Sequence, residues 1–188
     1  MRFRAISILG LSLIWLPLAS GYGRAQSSQP TEYQIKAAFL FNFAKFVEWP
    51  PQAFADKTSP IEIGILGENP IQDDLTRTIR DKTIDNRRLV IKEFRSPIQA
   101  TNWMQATNCH ILFISSSEKK RLPEIFASLK GASVLTVGET DHFTESGGMI
   151  NFFLEGTKMR FQINKDAATS AGLKISSKLM SLASRPGG

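Results

Sequence analysis

From Lys36 to Pro50 the chain reads KAAFLFNFAKFVEWP. At helical periodicity its polar positions Asn42, Lys45 and Glu48, with Gln34 just upstream, fall in one stripe, and nearly every other position is Ala, Phe, Leu or Val. A surface helix normally carries a narrower apolar stripe, so this one is expected to be covered on more than one side. Its own domain supplies part of the cover; a second copy or a partner is left open for the rest. Thr31 or Ser28 caps the start, and Pro50-Pro51 stops the helix.

Beyond Pro50 short apolar runs alternate with helical patterns. Strands are expected at Ile61–Leu66, Leu89–Phe94, Ile111–Ile114 and Val134–Val137. Between them lie a helix capped by Asn69 with Pro70 at its first position, a helix from Ser96-Pro97 to Ala106, and one opening at Ser115–Ser117, delayed by Pro123 and ended by Gly131. Short continuous apolar strands separated by helices indicate βαβ units. After residue 140 the pattern changes. Gly147–Leu154 and Lys158–Asn164 alternate in the manner of an antiparallel hairpin turning at Glu155-Gly156-Thr157, and a helix from Asp166 to Leu182 closes the chain. The expected class is α/β, a mainly parallel sheet with helices on both faces, a C-terminal antiparallel hairpin and a closing helix.

The first residues change the charge balance. Arg2 and Arg4 precede an apolar run of about 15 residues, Ala5 to Ala19, and small residues flank Arg24 at Gly23 and Ala25. This is the pattern of a secretory signal peptide over residues 1–25, cut after Ala25 with Gly21 as second choice. The run is short of the ~20 residues that span a bilayer, so no direct membrane insertion is expected. The mature part, 26–188, reads as one domain. Three of the 23 basic residues leave with the leader, so 20 face 17 acidic ones and the net charge falls from +6 to +3. A mildly basic exported domain needs no nucleic acid to explain it; Arg87-Arg88 and Lys119-Lys120-Arg121 alternate with no aromatics.

Searches for catalytic chemistry return little. Gly64-Ile65-Leu66-Gly67-Glu68-Asn69 matches no phosphate-binding glycine motif, and Glu68 would oppose a phosphate. Ser115–Ser117, His110, His142 and Asp141 could be drawn as a triad, but there is no nucleophile elbow, and His110 lies at the other end of its strand from the serines. Cys109, His110 and His142 have no zinc-like spacing. Neither cofactor nor metal is expected. Lys36 projects from an otherwise apolar face and either snorkels or finds a buried partner. Asn42, between two phenylalanines, is read as satisfying nearby backbone, and Asn164 as a cap for the closing helix. Cys109, the one cysteine, is either a buried thiol or half of an intermolecular disulfide.

Two segments resemble the YfiR family of periplasmic proteins. One runs Tyr33-Gln34-Ile35-Lys36-Ala37-Ala38-Phe39-Leu40-Phe41-Asn42-Phe43-Ala44-Lys45-Phe46-Val47-Glu48-Trp49-Pro50. The other extends from Gly147-Gly148-Met149-Ile150 through Phe161-Gln162-Ile163-Asn164 to Ala171-Gly172-Leu173-Lys174-Ile175-Ser176-Ser177-Lys178-Leu179. The strands Cys109–Ile114 and Leu135–Glu139 lie between them. The resemblance implies a homodimeric, non-enzymatic regulator that binds the periplasmic part of an inner-membrane sensor protein of diguanylate cyclase or kinase type. Repressing a cyclase would lower cyclic di-GMP and restrain biofilm formation. The internal redox-sensitive disulfides of the best-known relative are unsupported here, where Cys109 stands alone.

A regulator needs contacts that differ between its target's states. Phe39, Phe43, Phe46 and Trp49, or a subset, are the candidate dimer or partner surface, the alternative being that all four are core. A second class stays open, a periplasmic small-molecule binding protein feeding a membrane sensor, with a crevice near Gly67–Asn69 and Ser115–Ser117.

Overall fold

The computed structural model describes residues 29–106 and 109–184; the expected signal peptide lies outside them. Along the chain follow α1 (Glu32–Phe46), β1 (Val47–Glu48), β2 (Ile61–Leu66), α2 (Ile71–Ile79), β3 (Thr83–Ile84), β4 (Arg87–Phe94), α3 (Pro97–Ala106) and β5 (Cys109–Ile114). Then come a 3-10 segment (Ser116–Arg121), α4 (Leu122–Ser128), β6 (Leu135–Gly138), β7 (Ile150–Glu155), β8 (Lys158–Ile163), α5 (Lys165–Ser170), β9 (Lys174–Ile175) and α6 (Ser177–Leu182).

The fold is α/β, as the sequence predicts. The main sheet has the order β3-β4-β2-β5-β6-β7-β8. Strands β4, β2, β5, β6 and β7 are parallel; β3 and β8 are antiparallel additions at the two edges. The winding reverses direction between β2 and β5. The alternation of side chains along the parallel strands builds two cores. Ile61, Ile63, Ile65, Ile111, Phe113, Leu135 and Val137 join α1, α2, Ala168 and Leu179 on one face. Leu66, Leu112 and Ile114 join Ala100 of α3, Leu122 and Ile125 of α4, and Phe143 on the other. Strands buried on both faces must read as unbroken apolar runs, as β5 does.

Helix α1 opens on a reciprocal cap: Thr31 Oγ1 accepts from the Gln34 N–H at 3.3 Å, and Gln34 Oε1 accepts from the Thr31 N–H at 3.0 Å. Of the two candidate caps, Thr31 is the one used. The helix ends at Phe46, short of Pro50, because Val47 and Glu48 turn extended to pair with Ile175 and Lys174, and the Ser176 N–H takes the Phe46 carbonyl. Much of its apolar surface is covered within the chain. Lys36, Ala37, Leu40, Phe43 and Ala44 face the sheet. Phe41 lies under the Lys82 ammonium beyond α2, and Phe46 under that of Lys178 in α6.

Two other expectations shift. Helix α2 starts at Ile71, so Pro70 and not Asn69 stands at its N-cap position; Asn69, one residue further out, accepts the Ile71 N–H on its Oδ1 at 2.8 Å. The closing segment is two short helices, α5 and α6, separated at Gly172, whose φ of +75° ends the first.

Candidate functional site

Parallel sheets present their ligands at the carboxyl ends of the strands, near the point where winding reverses. Three turns meet there. After β2, Gly67 donates its N–H to the Phe94 carbonyl at 2.9 Å, tying this turn to the end of β4. After β5, Ser115 Oγ donates to the Glu68 carbonyl at 2.6 Å, and Ser117 Oγ accepts from the Glu68 N–H at 3.1 Å. Both hydroxyls are thus committed to backbone, as a triad nucleophile would not be. His142 sits on an exposed loop against Glu145.

Beside these turns Lys36 is only 3% exposed. Its Nζ reaches Glu139 Oε2 at 2.6 Å and also Glu32. Burial alone would lower its pKa, but the hydrogen bonds and charges of Glu139 and Glu32 outweigh that and hold it above the usual lysine value. Glu139 Oε1 accepts from Asn69 Nδ2 at 2.9 Å and from the Ser116 N–H at 3.3 Å. One carboxylate thus gathers α1, the start of α2 and the turn after β5. Glu139 was not singled out in the sequence reading; the available signal was an acid placed directly after the apolar run of β6.

On the other side of the β2 turn lies a cleft of about 860 Å³, walled by the ends of β2, β4 and β5. It adjoins Gly67–Asn69 and Ser117, where the sequence placed a crevice. Glu118, also missed from sequence, forms part of the wall. Its side chain is 2% exposed; Oε1 accepts from Arg121 Nη2 at 2.9 Å.

The remaining candidates fall into separate places. Phe43 is fully buried and packs on Phe152 and Phe161, with centroids 5.6 and 5.2 Å away. It is core and is removed from the candidate surface. Phe39, Phe46 and Trp49 are half-buried against that core. Trp49 donates its indole N–H to the His110 carbonyl at 3.1 Å, which engages it at the amino ends of the strands. Asn42 is half-buried and makes no side-chain hydrogen bond among the described residues, so it does not serve the neighbouring backbone. Asn164 Oδ1 accepts from the Ala167 N–H at 3.0 Å, capping α5, and its amide donates to the Thr144 carbonyl at 2.9 Å. Cys109 is buried with its thiol donating to the Ile111 carbonyl, and burial pushes its pKa above the ordinary thiol value. A bridge to another chain would require the start of β5 to open, so the structure opposes the intermolecular disulfide.

Among the described residues no helix is long and apolar enough to cross a membrane. A family model described as YfiR/HmsC-like matches residues 33–184. Among solved structures, the crystal structure of a conserved domain protein from Vibrio cholerae O1 biovar eltor str. N16961 is similar, with a TM-score of 0.57 at 12% identity. The match covers 84% of this chain and 60% of that one, and at such identity it establishes the fold alone.

Proposed function

Because the chain belongs to the YfiR/HmsC-like family, we propose that it is a non-enzymatic periplasmic regulator that binds the periplasmic part of an inner-membrane diguanylate cyclase and represses it. The observation that carries this reading is the extent of the family match, which runs from the first turn of α1 to the end of α6. The reading includes export by the 1–25 leader and a homodimeric state. Phe39, Phe46 and Trp49, each half-exposed, are the apolar groups of α1 and its continuation that a second copy or a partner could cover.

The test joins capture to output. The mature protein is used as bait on detergent-solubilised native membranes, and cyclic di-GMP is measured in cells with and without the gene. Recovery of a membrane protein carrying a cyclase domain, together with higher cyclic di-GMP in the deletion strain, supports repression. An unchanged cyclic di-GMP level in the deletion strain would sink the repressor reading, whatever the bait recovers.

A further inference from the structure

We propose that the cleft at the carboxyl ends of β2, β4 and β5 is a binding site for a small solute carrying a protonated amine, and that Glu118 receives the ammonium. The position is the one where doubly wound sheets open a crevice: β2 is flanked by β4 on one side and β5 on the other, and the connections leave in opposite directions. The volume of about 860 Å³ suits a small organic molecule.

The chemistry follows from Glu118. Its carboxylate is nearly sealed from water, Oε1 is held by Arg121, and Oε2 has no hydrogen-bond partner among the described residues. A buried carboxylate oxygen left without a donor is costly, and few such groups persist in native proteins without a reason. A carboxylate only accepts, so its complement is a donor, and an ammonium adds the opposite charge. Glu68, exposed at the mouth, places a second negative charge nearby. Arg121 is occupied by Glu118, which leaves Arg95 at the rim as the group for any carboxylate on the same solute. A metal ion is disfavoured, since no three His, Cys, Asp or Glu residues converge among the described residues.

The burial of Glu118 is built into the backbone. Gly67 has φ +91°, and a Cβ there would stand 2.5 Å from Ser117 Oγ and 2.8 Å from Glu118 Cγ. Only glycine lets the β2 turn close over the Glu118 stem. Arg121 is half-exposed, so the Glu118–Arg121 pair runs from the buried wall of the cleft to its open side.

The site is independent of the regulator reading, because it can hold an amine whether or not a membrane partner exists. Calorimetric titration of the whole mature chain tests it, with putrescine, ethanolamine and β-alanine as probes and acetate as control. At least one amine should bind saturably and raise the melting temperature, while acetate does neither. Glu118→Gln, checked for fold by circular dichroism, should weaken that binding about tenfold or more, the effect of losing a charge-assisted bond in a buried place. Glu68→Gln, at the exposed mouth, should weaken it about threefold and carries the test should E118Q not fold. Preference for β-alanine lost in Arg95→Gln would assign the rim cation to a carboxylate. Three amines without heat or melting shift, or binding indifferent to both carboxylate variants, would overturn the proposal.

Discussion

Lys36 Nζ lies 2.6 Å from Glu139 Oε2, and the two side chains are 4% and 7% exposed. The contact fastens α1 to the carboxyl end of β6. Breaking such a pair from one side leaves a buried charge uncompensated and costs about 3–5 kcal/mol. Lys36→Met should fall at the low end of that range, since Glu139 keeps the Asn69 and Ser116 donors. Urea unfolding of Lys36→Met, Glu139→Gln and the double variant checks the coupling. The double variant should lose less than the sum of the singles; strict additivity would mean the two groups do not act as a pair.

His110 makes stability depend on pH. It is 1% exposed, its Nδ1 accepts from the Glu62 N–H at 3.1 Å, and Phe54 stacks on it at 4.3 Å beneath the Arg87 guanidinium. Burial lowers its pKa to about 4, with Arg87 adding to the effect and the Ala53 carbonyl opposing it. Below the unfolded value of about 6.5 the unfolded chain therefore takes up a proton that the folded chain refuses. Its contribution is present above that pH and is lost as pH falls to about 4, at a rate approaching 1.4 kcal/mol per unit. Asp56, lowered to about 2 by hydrogen bonds from Thr58 and Ser59, acts only below this window. His110→Gln should flatten the slope of unfolding free energy between pH 6.5 and 4. A variant with the wild-type slope would remove His110 from the account.

How far the sequence reveals the molecule depends on how local each cause is. The inner strands were readable because burial on both faces writes itself as a continuous apolar run, as in Ile111–Ile114. The early end of α1 was not, because Val47 is drawn away by Ile175, far along the chain. The β3 strand was missed although Asp85 and Asn86, both at positive φ, mark its hairpin turn. The break at Gly172 carried its own signal, a glycine at a helix end. At the site, the serine turn and the crevice were found from the strand pattern, and Lys36 stood out by its position. Its partner Glu139 lies 103 residues later, and nothing in one chain's sequence links the two. Glu118 was hidden because a charged residue after a serine turn reads as exposed, and its burial comes from the close approach of the Gly67 turn, remote in sequence, and from Arg121.

Phe143 fills a slot between two glycines. A Cβ on Gly138 would stand 2.4 Å from its ring, and one on Gly148 would stand 2.1 Å away. Gly148→Ala should therefore destabilise by about 1–3 kcal/mol through overpacking. Adding Phe143→Leu should recover part of that loss by clearing the slot. Thermal melts of the two variants decide; an unaltered melting temperature for G148A would mean the ring has room to move.

Cys109 should behave as an inert thiol. Its burial and raised pKa keep the thiolate fraction low. Reaction with a thiol reagent should be slow in the native state and fast in denaturant, and a non-reducing gel should show no disulfide-linked dimer. A dimer band removed by reductant would show that β5 opens at its start.

The four aromatic positions Phe39, Phe43, Phe46 and Trp49 should separate by experiment. Phe43 is enclosed by the sheet hairpin, so Phe43→Ala should cost about 3–5 kcal/mol and lose any binding only by loss of fold. Phe46, half-buried, has the Lys45 and Lys178 ammonium groups 5.6 and 5.2 Å from its ring centroid. Replacing it with Ala should cost about 1 kcal/mol and leave a folded protein. Trp49→Phe keeps an aromatic group but removes the indole N–H that bonds the His110 carbonyl, a loss of about 1 kcal/mol or somewhat more with the smaller ring. If these groups meet a partner, Phe46→Ala is the variant that stays folded and captures less of it. Capture equal to wild type by folded Phe39→Ala, Phe46→Ala and Trp49→Phe would place the binding surface elsewhere. The exposed Leu154 at the hairpin end, 56% accessible, would then be the next position to change.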